Sequence, residues 1–245
     1  MTKIFLRSFF IHTTLNFRRM QNLGFVMAII PLIREWRLSR KNAEGLLTRH
    51  LQMFNTNPYF SASIIGSVIR LEEEQINGIQ STSDAVAVKQ RLMGPYAAIG
   101  DTFFWGALRP FAAVVACISA YAGFIFAPLA FLLLFNPVHV WLRWRGFLEG
   151  YRRGKEGIEF FRIINLPRIA VRIRWFSLIL LAVSAVFWEI CEGCLPFIKP
   201  SGLVMKMMTM IIILVCFLLI KKMISQFYIL YFAALFFLLI SLKEF

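Results

Sequence analysis

Four groups of residues in this sequence could do chemistry. Glu72, Glu73 and Glu74 stand in a row behind Arg70, and Asp101 stands alone in Tyr-Ala-Ala-Ile-Gly-Asp-Thr-Phe-Phe-Trp-Gly, with Arg109 following. Asn55-Thr56-Asn57-Pro58 brings amides and a hydroxyl into an uncharged run, and Cys191 and Cys194 bracket Glu192-Gly193. Carboxylates and carboxamides accept and donate hydrogen bonds to hydroxyls, and an aromatic such as Trp105 presents a flat apolar face. Such groups suit a neutral sugar without identifying one. The glutamates read equally well as a solvated helix end in which Arg70 is an i,i+3 or i,i+4 partner. Asp101 is placed either to pair with Arg109 or to touch a ligand.

Enzyme signatures are missing. His12, His50 and His139 make no i,i+4 ligand pair, and no Ser/His/Asp or Cys/His constellation, phosphate loop or dinucleotide fingerprint can be assembled by pattern. Cys191 and Cys194 have no second cysteine pair or nearby histidine to complete a metal shell. They form a disulfide only if their loop faces an oxidising compartment. Neither a catalytic residue, a metal nor a cofactor is expected.

The elements that must position these residues are apolar. Of 245 residues, 59% are hydrophobic and only 16% charged, with a mean hydropathy of +0.68. Soluble domains run near 45–50% apolar and about 25% charged, so the surplus must face lipid. Lys plus Arg number 27 against 13 acids, a net charge of +14. Without an aromatic RNA-binding motif beside it, this excess is better read as cytoplasmic loops meeting anionic lipid than as a nucleic-acid surface.

Four segments follow. Residues 1–49 are basic and amphipathic, and their apolar stretch Met20–Ile33 is too short for a simple span, which suits an interfacial or re-entrant helix. The apolar stretch after Lys3 and Arg7 is interrupted by His12, Asn16, Arg18 and Arg19, so no cleavable signal peptide is expected. Residues 50–142 open helices at Asn57-Pro58 and again at Gly94-Pro95, then run without charge from Pro110 to Leu142, enough for one span over Phe111–Phe135. Short helices opened at membrane depth are how transporters build sites. A pair of surface loops flanking ordinary helices is the alternative, and these residues leave both open. Residues 143–174 carry nine positive residues and read as cytoplasmic. Residues 175–245 supply the last spans: Trp175–Trp188, a turn at Cys191–Gly202, Leu203–Ile220 and Met223–Leu242. With both basic segments on one side, 50–108 must supply a crossing or a membrane-inserted hairpin. The expected fold is an all-α polytopic membrane protein with broken or re-entrant helices in its N-terminal half.

Several ordered motifs carry a family resemblance. Asn-Phe-Arg-Arg-Met-Gln-Asn-Leu-Gly-Phe (16–25), Arg-His-Leu-Gln-Met-Phe-Asn-Thr-Asn-Pro-Tyr (49–59), Leu-Glu-Glu-Glu-Gln-Ile-Asn-Gly (71–78), Leu-Met-Gly-Pro (92–95) and Gly-Asp-Thr-Phe-Phe-Trp-Gly-Ala-Leu-Arg-Pro (100–110) occur in sequence. This pattern resembles the IID component of the mannose/fructose/sorbose phosphotransferase-system permeases over about residues 4–165. Leu-Leu-Phe-Asn-Pro (133–137) and Gly-Tyr-Arg-Arg-Gly (150–154) fall where that family has similar segments.

The resemblance implies a multi-pass protein of the bacterial inner membrane, paired with a IIC subunit in a higher oligomer, a trimer of IIC–IID pairs. The pair moves a hexose for phosphorylation by the cytoplasmic phosphorylated IIB subunit, with IIA and IIB as cytoplasmic phosphocarriers, and the IID chain itself carries no phosphohistidine. It also implies that Asn55, Thr56, Glu72, Glu73, Asp101 and Trp105 line the sugar path. Three departures stand out: Arg18 replaces a usual Glu, Asn57 a usual His or Gln, and Glu74 a usual Gln. The C-terminal part is also shorter, near 191–202. The alternative is a degenerate homologue serving as a membrane scaffold or receptor without transport.

Overall fold

The computed structural model describes residues 1–78 and 84–190. The chain divides between Val186 and Phe187, and the helical core belongs to the unit Met1–Val186. The elements in order are α1 (Thr2–Ser8), α2 (Asn22–Ile29), α3 (Pro31–Glu35), α4 (Arg40–His50), α5 (Ser61–Ile76), α6 (Ala85–Gly100), a π-helical segment (Asp101–Leu108), α7 (Arg109–Tyr121), α8 (Ala127–Arg153), a 3-10 turn (Gly154–Ile158), α9 (Glu159–Ile164) and α10 (Leu166–Ile190). Among the described residues β structure is limited to two isolated bridges, Asn16 with Met20 and Met20 with Phe54.

α5 is the centre of the fold. Its first half, Ser61 to Ile69, is buried on every side, as expected for a helix that is apolar or small-residue all round. It packs most extensively on α8, and small residues make that possible. A Cβ at Gly66 would strike the Phe147 carbonyl, one at Gly146 the Ser63 hydroxyl, and one at Gly150 the Ser63 carbonyl. Gly146 and Gly150 are four apart, the spacing that lets helix backbones approach closely within a membrane. Phe60, Tyr96, Phe104 and Phe161 fill the surrounding core.

Ala85–Tyr121 is a continuous helical run of 37 residues and is apolar enough to cross a bilayer. At 1.5 Å per residue it is about 55 Å long, well beyond the ~30 Å hydrocarbon layer. Its N-terminus is not at Gly94-Pro95, as the sequence suggests, but at Asp84, whose carboxylate accepts from the amides of Val86 and Ala87. Pro95 lies inside α6. The irregularity that the prolines announce is displaced to Asp101–Leu108, where Pro110 has no N–H to offer the Gly106 carbonyl and the helix widens to the π form.

The charge-free stretch Phe111–Phe135 is likewise not one span. α7 ends at Tyr121, Gly123 turns at φ +82°, and α8 begins at Ala127. The left-handed backbone at Gly123 is open to glycine without steric cost. The turn escapes a hydropathy reading because its tip, Phe124-Ile125-Phe126, is itself apolar and exposed.

Met20–Ile33 is divided too, into α2 and α3, with Pro31 at the first position of α3. Residues 143–174 are largely helical, comprising the end of α8, α9 and the start of α10, and Arg143 is not a loop charge but is only 3% exposed. Trp175 to Ser184, by contrast, presents Trp175, Phe176, Leu178, Ile179, Leu181 and Val183 outward. Expectations for Cys191, Cys194, Leu203–Ile220 and Met223–Leu242 fall outside the described residues.

Candidate substrate site

The segment between α4 and α5 is extended and polar, so its backbone groups need partners away from water. Gln21, 2% exposed, supplies two. Its Oε1 accepts from the Thr56 amide at 3.2 Å and its Nε2 donates to the Thr56 carbonyl at 2.7 Å. The same Nε2 lies 2.7 Å from His12 Nε2, which must then be the acceptor of that hydrogen bond. Thr56 Oγ1 donates to the Met93 carbonyl at 3.1 Å, tying the loop to α6. Arg143 donates to the Pro58 carbonyl and stacks over the rings of Phe9 and Tyr59.

Asn57 joins this loop to the π-helical segment. Its Oδ1 accepts from the Tyr59 amide at 3.1 Å, turning the chain into α5. Its Nδ2 donates to Asp101 Oδ1 at 2.8 Å. Gly100 permits the approach: a Cβ there would overlap the Asn57 side chain. Beside this pair, Tyr59 is the hub of an aromatic group, with ring centroids 4.5 Å from Phe104, 5.6 Å from Trp105 and 4.9 Å from His139. Arg109 does not pair with Asp101. Its guanidinium lies 5.1 Å from the exposed Trp105 ring.

Of the six residues expected to line a sugar path, four therefore gather in one region. Thr56 is buried, while Asn55, Asp101 and Trp105 remain exposed. This is the arrangement a polar, ring-shaped ligand requires: hydrogen-bonding groups held by a rigid second layer, next to a flat apolar surface. Glu72 and Glu73 are elsewhere, about 16 Å along the α5 axis from its start.

Glu72, 1% exposed, pairs with Arg49 and lies 2.8 Å from His50 Nε2. Lys89, fully buried, donates to the His50 carbonyl at 3.1 Å and sits 4.9 Å from the Phe25 ring centroid. Burial holds the His50 imidazole below its usual pKa of 6.5, with Glu72 pulling the other way. Glu73 accepts from the Tyr151 hydroxyl at 2.7 Å, and Glu74 pairs with Arg70 at 2.7 Å in the i,i+4 register.

Sequence reasoning missed Gln21, Arg143 and Lys89 as supports. Gln21 lies within the recognised 16–25 motif, which was its one available signal. Asn57 drew attention as a helix start and a family departure, but not as the partner of Asp101.

Residues 1–186 match the family described as PTS system mannose/fructose/sorbose family IID component. The chain belongs to this family. A similar protein is the mannose-specific EIID component of Escherichia coli (strain K12), 41% identical over 155 residues that make up 62% of this chain and 54% of the relative. The match thus spans about half the length of that curated relative. Among solved structures, one described only as a membrane protein superposes with a TM-score of 0.71 at 29% identity, covering 97% of this chain and 93% of that one. The mannose transporter ManYZ, solved by cryo-EM with microcin E492, superposes with a TM-score of 0.58 at 28% identity, covering 98% and 93%. The chain is thus a mostly helical membrane component of the IID type.

Proposed function

We propose that this chain is the IID subunit of a sugar permease which, with a IIC partner, translocates a hexose for phosphorylation by IIB. In this reading the IIA and IIB subunits carry the phosphoryl group, and the chain itself has no catalytic role. It sits as a multi-pass protein in the bacterial inner membrane, in a trimer of IIC–IID pairs. The observation that carries the proposal is the clasp of Asn57 on Asp101, which brings the loop 55–59 against the π-helical segment and beside Tyr59 and Trp105.

Asn55, Asp101 and Trp105 form the sugar-facing set, with Thr56 buried directly behind them. Glu72 and Glu73, held by Arg49, His50 and Tyr151, are assigned to the same path at the opposite end of α5. The four sequence segments, 1–49, 50–142, 143–174 and 175–245, remain the proposed division by membrane role. Co-expression with IIC and IIB and uptake of labelled hexoses test the proposal. Asp101→Asn is expected to lose uptake while still co-purifying with IIC. No uptake by the parent complex, despite stable assembly, removes transport.

A second reading is a receptor or scaffold without transport. One observation favours it: the related ManYZ transporter was solved in complex with a microcin. An uptake-silent chain that still binds such a peptide would establish this reading.

A further inference from the structure

At the N-terminal edge, remote in sequence from the loop 55–59, α1 and α3 flank a half-open hollow of about 750 Å³. Its walls carry Lys3, Arg7 and Arg34 against the single carboxylate of Glu35, together with the apolar Ile30 and Ile33. Arg7 is already engaged, donating to the Met27 carbonyl at 3.0 Å near the end of α2. The Glu35 carboxylate faces the Met1 amine at 3.7 Å. Lys3 and Arg34 are exposed and, among the described residues, form no ion pair. Two cations therefore line a partly apolar hollow whose single carboxylate is engaged by the Met1 amine rather than by either of them.

The surface next to the cavity is apolar. Leu23 and Met27 on α2 and Ile30 just past its end recur at i, i+4 and i+7 and are 43%, 45% and 38% exposed. Ile30 belongs to both features, ending the stripe and lining the cavity. In a membrane component such a stripe faces acyl chains, and a cationic hollow at its end lies where headgroups are found.

We propose that this cavity binds an anionic phospholipid of the surrounding bilayer, with its phosphate between Lys3 and Arg34 and its chains along Leu23, Met27 and Ile30. The volume lies within the roughly 300–1,000 Å³ of small-molecule sites. The observations favour a lipid over an acidic protein segment, because the charged and apolar parts are contiguous and ordered as in a phospholipid.

The test titrates the detergent-solubilised full chain with phosphatidylglycerol and counts bound lipid by native mass spectrometry. Each cation near a membrane surface is worth about fivefold in affinity, so Lys3→Gln/Arg34→Gln should weaken binding about 30-fold. Arg91→Gln, on α6, should leave it unchanged, and phosphatidylcholine should bind no better than to the double variant. Equal binding of both lipids, or equal weakening by Arg91→Gln, overturns the proposal. A photo-crosslinker at Ile33 in native membranes should yield a lipid-mass adduct, whereas a protein-sized adduct assigns the cavity to a protein and overturns it. None of these readouts requires sugar uptake, so they fail or succeed independently of the permease reading.

Discussion

Asn57 performs two separable tasks, and a double-mutant cycle with Asp101 can measure one of them. Its Oδ1 caps the turn at Tyr59 and its Nδ2 donates to the Asp101 carboxylate at 2.8 Å. The turn-closing hydrogen bond to Oδ1 is worth about 1 kcal/mol. A hydrogen bond to a charged group is worth about 1.5–3 kcal/mol, but Asp101 is exposed, which lowers the figure to about 1 kcal/mol. Asn57→Ala loses both, about 2 kcal/mol, and Asp101→Ala loses only the clasp, about 1 kcal/mol. The double variant can lose no more than cap and clasp together, again about 2 kcal/mol, leaving a coupling energy of about 1 kcal/mol. Equilibrium unfolding in mixed micelles, followed by tryptophan fluorescence, reads all four corners. Strict additivity, with coupling below about 0.3 kcal/mol, would mean that the clasp contributes nothing and that the loop is held by Gln21, Arg143 and the Thr56–Met93 bond.

Other consequences can be read from the same unfolding measurement. Gly150→Ala drives a methyl into the Ser63 carbonyl and should cost about 1–3 kcal/mol, whereas exposed Gly45, inside α4 with nothing nearby, should gain about 0.5–1 kcal/mol on replacement by Ala. Glu72→Gln leaves Arg49 without its anion and removes the carboxylate that the His50 imidazole hydrogen-bonds. The loss should be about 3 kcal/mol, at the lower end for a buried pair because Arg49 still reaches water. Because burial depresses the His50 pKa, the unfolded chain takes up a proton that the folded chain refuses. The stability tied to His50 is therefore complete above its usual 6.5 and is lost as pH falls towards the lowered value. In His50→Gln the decline between about pH 7 and the folded pKa should be shallower, and an unchanged slope would place the titration elsewhere.

Some of this architecture was legible because it is local. The Arg70–Glu74 pair follows from helical periodicity alone, whereas Asn57-Pro58 does not open α5 as its composition suggests: it makes a turn, and the helix begins at Ser61 with Phe60 at its N-cap and no side-chain cap. The motifs at 49–59 and 100–110 were legible as belonging to one family. What misled the reading was also local. Gly94-Pro95 has the composition of a helix start yet lies within α6, because Asp84 caps the helix earlier and the irregularity is absorbed at the π-helical segment. The break at Gly123 was invisible, since its exposed tip, Phe124-Ile125-Phe126, is apolar and leaves no polar residue to announce it.

The sequence by itself determined the solvent and the inventory: too much apolar surface for water, and a small set of amides, carboxylates and aromatics that a sugar could use. Only the tertiary structure decided which of them meet. Gln21 reaches Thr56 across 35 positions and Asn57 reaches Asp101 across 44, while Glu72, much closer to Asn57 along the chain, is carried away by the length of α5. Helical pattern fixes neighbours three or four residues apart. Contacts across tens of residues depend on how closely helices pack, and in this chain that was set by small residues such as Gly66, Gly100 and Gly150, whose meaning emerges only against the atoms they touch.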